Sequence, residues 1–179
     1  MESIRVIRPN PDEYDPAFGR YIARAADIDD ARRALAMQQE QVVRLLEPLG
    51  DKAAEYRYLA DKWSIKEMLG HLCDGERIFA YRLLRIGRGD RTPLAGFDEN
   101  AYVPAARSHQ RPLSDLVDEW RSVRGATTSL VRGMPAEAWS QRGTSNDHTI
   151  SARALLYIIV GHVDHHLGVL AERYGVANV

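Results

Sequence analysis

The sequence predicts an all-α fold: a four-helix bundle with a long crossover between its second and third helices, preceded by an N-terminal arm. Three observations carry this. Four segments repeat apolar residues at spacings of three and four, as one buried face of a helix requires. No segment alternates convincingly with the period of two that marks a half-buried strand. Residues 87–111 sustain no period at all, and a stretch of that length can run from one end of a bundle to the other. At 179 residues with 45% hydrophobic side chains, one domain can bury a core without disulfide or metal staples. The expected division is an arm over residues 1–28 and a bundle over residues 29–179.

The arm is punctuated by Pro9, Pro11 and Pro16, while Tyr14, Phe18, Tyr21 and Ile22 give it an apolar side to lay on the body. An extended segment with a short helix is expected. The first long helix starts after Asp29 or Asp30, either of which can cap it. Its stripe is Ala31, Leu35, Val42, Leu45, Leu46 and Leu49, and Pro48-Leu49-Gly50 ends it. The second starts at Ser64 with Glu67 three residues on, a capping box, and Trp63 precedes it. Ile65, Met68, Leu69, Leu72, Glu76, Phe79, Leu83 and Ile86 form its face, and Gly87-Arg88-Gly89 stops it. The third follows Pro112 with Leu113, Leu116, Val117, Trp120, Val123, Thr127, Leu130 and Val131 as its seam, up to Gly133-Met134-Pro135. Residues 139–149 are expected to be a loop, leading into a last helix over residues 150–170.

Composition excludes several functions. A net charge of −1 with scattered basic residues leaves no global footprint for nucleic acid, and none is expected as a partner. Arg85, Arg88 and Arg91 are the one local cluster, read as a solvated loop edge. The single cysteine, Cys73, excludes an intramolecular disulfide and a cysteine-rich zinc site, and fits a reducing compartment. Met1-Glu2-Ser3-Ile4-Arg5 lacks a signal-peptide pattern, and no charge-free apolar run of 18 residues is present. A cytoplasmic protein with no membrane partner is therefore expected. Homodimerisation is expected by base rate, with no face identified.

The last helix carries the chemistry. At ~100° per residue, Leu155, Ile158, His162, His166 and Val169 fall within roughly 40° of one line. Two histidines thus occupy positions where leucines would be expected. A buried imidazole without a partner costs on the order of 1–3 kcal/mol. Residues at i and i+4 lie ~6 Å apart and can share one ion. Spacing leaves two readings open: metal ligands, or core histidines satisfied by other polar groups. His165, roughly 60° off the stripe, is an alternative to His166 by its i, i+3 spacing from His162. A third ligand is sought on a facing helix. His71 qualifies, at the edge of the second stripe and near Gly75, whose cost in a helix interior suggests room for a neighbour. His109 and His148 fall outside the helices and are read as surface residues. Three neutral imidazoles with an open position suit catalytic zinc, and nickel or iron(II) accept the same donors.

The sequence also resembles the DinB/YfiT-like superfamily of metal-dependent helical-bundle proteins. The likeness rests on Trp63-Ser64-Ile65-Lys66-Glu67-Met68-Leu69-Gly70-His71-Leu72 and on His162-Val163-Asp164-His165-His166-Leu167-Gly168-Val169-Leu170. Phe97-Asp98-Glu99 and Ala138-Trp139 agree with it, and it spans roughly residues 30–174. It implies a bundle with a long crossover and a zinc or nickel site whose ligands, by motif position, are His71, His162 and His166. It implies also a thiol-dependent reaction, transfer or isomerisation, using a low-molecular-weight thiol as cosubstrate. Where a Gly-Gln-Leu ending is common in the family, this chain has Gly168-Val169-Leu170.

The reaction expected is metal-dependent thiol transfer to a small electrophilic molecule. A metal-bound thiol needs no protein nucleophile, and Cys73 is read as a core residue. Acid–base candidates near the ligands are Asp74, Glu76 and Asp164, of which Glu76 and Asp164 are carried forward as catalytic candidates. Glu76 faces inwards, and pairing with an arginine such as Arg82 or Arg153 is its structural alternative. Asp98, Glu99, Asn100 and Tyr102 are expected at the mouth of the pocket. The rival functions are a metal-dependent hydrolase and a metal-stabilised interaction or sensor module.

Overall fold

The computed structural model of the chain describes residues 5–25 and 28–176. Residues 1–4, which bear on the expectation of no leader sequence, lie outside the described residues. The helix starts follow the capping residues. Asp30 accepts from the amides of Arg32 and Arg33 and opens α2, Ala31–Leu46. Ser64 and Glu67 close a reciprocal capping box on α4, Ile65–Gly87. Pro112 precedes α6, Leu113–Arg132, and Ser151 accepts from the Ala154 amide to open α7, Ala152–Tyr174. Among the described residues three short α-helices complete the set: α1 (Gly19–Arg24), α3 (Gly50–Ala54) and α5 (Glu99–Ala106).

The long helices form a four-sided ring in which α2 packs on α6, α6 on α4, α4 on α7 and α7 on α2. The diagonals are therefore α2 with α4 and α6 with α7. The crossover from α4 to α6 spans residues 88–112, and α5 within it packs back on α4. α7 is the central core helix. It is long and apolar enough to cross a membrane by length and composition, but 72% of its most apolar window is buried inside the structure.

Three sequence expectations are corrected. The crossover is not irregular throughout, because Asp98 caps α5 through the Asn100 amide and Val103 buries itself from that helix. The expected loop over residues 139–149 contains a hairpin, β1 (Arg142–Ser145) and β2 (His148–Ser151), paired antiparallel. Asn146 and Asp147 both adopt positive φ at its turn, at 53° and 62°, as a tight two-residue hairpin turn demands. The crossover is tied to this hairpin: the Leu94 amide donates to Thr144 O and Leu94 O accepts from the Asn146 amide, both at 2.9 Å. Finally, the buried seam of α6 runs through Arg124 and not Val123.

The N-terminal segment is built into the body. Tyr21 and Ile22 of α1 are buried against α7. The two backbones approach so closely that a Cβ on Gly161 would lie 1.9 Å from Tyr21 O. Only glycine permits that approach. Further along, Arg153 pairs with the buried Glu13, and the Tyr157 hydroxyl donates to Val6 O at 3.0 Å.

Candidate metal centre

His71 projects from α4, and His162 and His166 project one turn apart from α7. One ring nitrogen from each lies within 4.8 Å of the other two. The ring centroids are 4.7–4.9 Å apart, and His71 Nε2 faces His162 Nε2 at 3.0 Å. Gly75 makes room for this crowding, since a Cβ there would stand 3.0 Å from His162 Cε1. The space that the sequence suggested beside His71 therefore serves His162.

All three rings are buried, and burial is what keeps them neutral. Desolvation pulls His71 from 6.5 down to about 4, against a smaller upward pull from Glu99. Desolvation, reinforced by the neighbouring imidazoles, holds His162 and His166 well below their ordinary value. Neutral imidazoles keep the lone pairs that a metal requires. His166 Nδ1 is buried with no hydrogen-bond partner, a cost of about 1–3 kcal/mol unless something else meets it. Three neutral imidazoles clustered within 4.8 Å, one of them with an orphaned nitrogen, fit a divalent metal.

The cluster opens on a cleft of about 320 Å³, within the range of small-molecule sites. Five aromatic side chains line it: Phe18 and Tyr21 from the arm, Trp63 before α4, Phe79 on α4 and Phe97 in the crossover. Tyr21 meets His162 edge-on at 5.4 Å and Phe79 meets it at 5.5 Å, while Trp63 lies 4.8 Å from His71. His165 is half-buried at the rim, its ring 5.0 Å from that of His166 and 5.7 Å from that of Tyr21. It lines the cleft but stands outside the group of three. Of the crossover residues, Glu99 lines this cleft, Asn100 and Tyr102 line neighbouring hollows, and Asp98 caps α5.

Neither acidic candidate lines the cleft. Glu76 is buried beside Arg124 of α6, with Oε2 to Nη2 at 3.0 Å. Its partner is thus neither Arg82, which donates to Ala95 O, nor Arg153, which pairs with Glu13. Burial pushes the Glu76 carboxyl up, and Arg124 pulls it back only in part. Asp164 accepts from Gln38 Nε2 at 2.6 Å and borders another hollow, with Arg24 and Gln41. Asp74 lies beside Arg77. Cys73 is fully buried, and desolvation raises its thiol to about 12, so it supplies no thiolate near neutral pH. His109 and His148 sit at the surface beside Glu67 and Asp15.

A ring of four helices enclosing three clustered imidazoles at the foot of an aromatic cleft defines a helical-bundle protein with a candidate metal centre. The chain belongs to the DinB superfamily, whose model matches residues 34–170. Among solved structures it is similar to YfiT from Bacillus subtilis, described as a probable metal-dependent hydrolase with an unusual four-helix bundle topology. That likeness has 18% identity and a TM-score of 0.72 over 97% of both chains. It is similar also to a mycothiol-dependent maleylpyruvate isomerase, at 14% identity and a TM-score of 0.67, over 83% of this chain and 61% of the isomerase. At such identities the likeness establishes the fold. No curated protein matches.

Proposed function

We propose that the protein is a metal-dependent enzyme that joins a low-molecular-weight thiol to a small electrophile, with His71, His162 and His166 as the ligands of a divalent zinc or nickel. The observation that carries this reading is the convergence of three buried, neutral imidazoles on one point facing the cleft. The likeness to a thiol-dependent isomerase supports the choice of thiol. When bound, such a metal supplies Lewis acidity that favours the thiolate or hydroxide form of a small molecule beside it.

The chain's own residues do the rest. Tyr21, Trp63, Phe79 and Phe97 exclude water and hold an apolar body against the histidines. Glu99 and His165, the carboxylate and the further imidazole that line the cleft, are placed to hold or pass a proton. Glu76 and Asp164 stand outside the cleft and serve the bundle: Glu76 pairs with Arg124, and Asp164 and Arg124 both hold Gln38. The likeness to YfiT favours a second reading, in which water replaces the thiol and the reaction is hydrolysis.

Elemental analysis of untagged protein, set against the His71→Ala, His162→Ala double variant, tests the centre. About one zinc or nickel per chain is expected, with none in the variant. Equal metal in both, or none in either after metal addition, overturns the proposal. Screening the loaded protein with thiols plus electrophiles, and separately with esters and amides, decides between thiol and water.

A further inference from the structure

Six acidic or basic side chains other than histidine are buried among the described residues, and five of them have an opposite charge alongside. Glu13 has Arg153, Lys66 has Asp51, Glu67 has Arg57, and Glu76 and Arg124 have each other. The sixth is Arg82, 4% exposed, with no acidic side chain in reach. A buried charge left without a counter-charge is strongly unfavourable, so its persistence calls for a partner that comes from outside.

The setting of Arg82 suits such a partner. Its Cζ stands 5.9 Å from the centre of the Phe79 ring and 5.7 Å from that of Phe97, so two cleft-lining rings flank the guanidinium. Nη2 donates to Ala95 O at 2.8 Å, which fixes the fork and leaves most of its N–H groups uncommitted. None of its nitrogens is among the sealed donors that lack a partner, so the fork keeps access to space. Arg82 lines the histidine cleft and forms the wall between it and a second hollow along Tyr81 and Thr92. Phe79 neighbours both groups, its ring centre 5.5 Å from that of His162 and 5.9 Å from Arg82 Cζ.

We propose that Arg82 is the anion-binding residue of the cleft, receiving a carboxylate of the substrate while the substrate's apolar body lies along Phe79 towards the histidines. A planar guanidinium flanked by aromatic rings presents parallel N–H groups, the match for a carboxylate. The substrate class is therefore a small carboxylic acid with its reactive carbon several bonds from the carboxylate. Only the placing of the reactive end rests on the metal-centre reading; the anion site does not.

The test uses 3-phenylpropionate and benzoate against their neutral amides, titrated calorimetrically into full-length protein, both metal-loaded and chelator-treated. The Trp63 indole resonance is followed to report the histidine side of Arg82. In wild type the acids are expected to bind at least ~10-fold more tightly than the amides, with or without metal, and to shift Trp63. Arg82→Met abolishes the preference, and Arg82→Lys reduces it several-fold by removing the fork. A residue that merely held the Ala95 carbonyl would leave the acid-to-amide ratio unchanged. The proposal is overturned by equal binding of acids and amides, by a preference that disappears on chelation, by a Trp63 resonance that does not move, or by a ratio unchanged in Arg82→Lys. The last outcome decides the matter even if Arg82→Met fails to fold. Loss of metal binding with the ratio intact would sink the metal reading alone.

Discussion

Two of the polar sites buried in this bundle are solved in opposite ways. The histidine site draws on α4 and α7 only, is uncharged, lines a cleft, and retains one sealed nitrogen without a partner, His166 Nδ1. The other draws one residue from each long helix: Glu76 from α4, Arg124 from α6, Gln38 from α2 and Asp164 from α7. Gln38 ties it together, donating to Asp164 at 2.6 Å and to Val160 O at 2.9 Å and accepting from Arg124 at 3.2 Å. The Arg124 guanidinium also lies 4.7 Å from the centre of the Trp120 ring. This network is charged and takes no part in the cleft wall; Glu76 and Arg124 pair by charge, yet Glu76 Oε1 and Arg124 Nε and Nη2 stay buried without a hydrogen-bond partner. A polar layer of that kind fixes how four helices register against one another. The difference teaches that burial of polar groups does not mark a functional site by itself. Both sites keep unmet atoms; what distinguishes the histidine site is that its residues line a cleft, whereas Glu76 and Arg124 stand outside it.

The largest effect should come from breaking the four-helix network. Glu76→Ala leaves Arg124 buried without its counter-charge and should cost about 3–5 kcal/mol in urea unfolding. His162→Ala should cost the metal-free protein less, about 1–3 kcal/mol, yet remove the metal. If Glu76→Ala instead lost metal while keeping its stability, the contrast between the two sites would collapse. A smaller effect should follow from Gly161→Ala. Its methyl group must displace the backbone at Tyr21, which should cost about 1–3 kcal/mol and make the cleft aromatics more accessible to a fluorescence quencher. An unchanged melting temperature would mean that the approach of α1 to α7 is not held tightly.

Acidification sharpens the same comparison more gently. The three imidazoles titrate lower in the folded chain than their ordinary 6.5. Below pH 6.5 the unfolded chain thus binds more protons, and stability is lost as pH falls from 6.5 towards about 4. Glu13 acts later. Burial raises its carboxyl, but hydrogen bonds from Arg153, Ser151 and Asn10 outweigh this and hold it near 2, against an ordinary 4.5. Its contribution is complete above 4.5 and disappears as pH falls through about 2. Stability measured from pH 8 to pH 3 should therefore begin to fall near 6.5. In a variant lacking His162 and His166 that first decline should be smaller, and an identical profile would show that these rings are not held neutral.

The long helices were legible in the sequence because each writes its own local signal: a cap, a stripe and a stop. Ser64 with Glu67 and Asp30 before Ala31 start their helices where the side-chain chemistry says they should. The i, i+4 pair of histidines was equally local. What was not legible depends on distant contacts. Arg124 lies outside the expected seam of its helix, which runs through Val123, until Glu76 and Gln38 are known to meet it. Phe18 and Tyr21 read as a generic apolar arm until α7 brings His162 beside them. The hairpin escaped because its strands have four residues each, too few to show alternation. The remaining signal was the Asn146-Asp147 pair, both residues that tolerate positive φ.

The docking of the arm has a consequence for how the molecule comes to be folded. Glu13 and Arg153, which clamp it, are separated by 140 positions in the chain, and Val6 and Tyr157 by 151. Contacts of such long range are the slowest to form, since the loop between them must close first. The arm is synthesised before the bundle yet has no seat until the last long helix has been made. We expect the bundle to assemble around its polar layer while the histidines still face solvent on one side, with the aromatic wall closing over them as the final event. Refolding followed through Tyr21 should then lag behind refolding followed through Trp120, and equal rates at the two positions would refute that order.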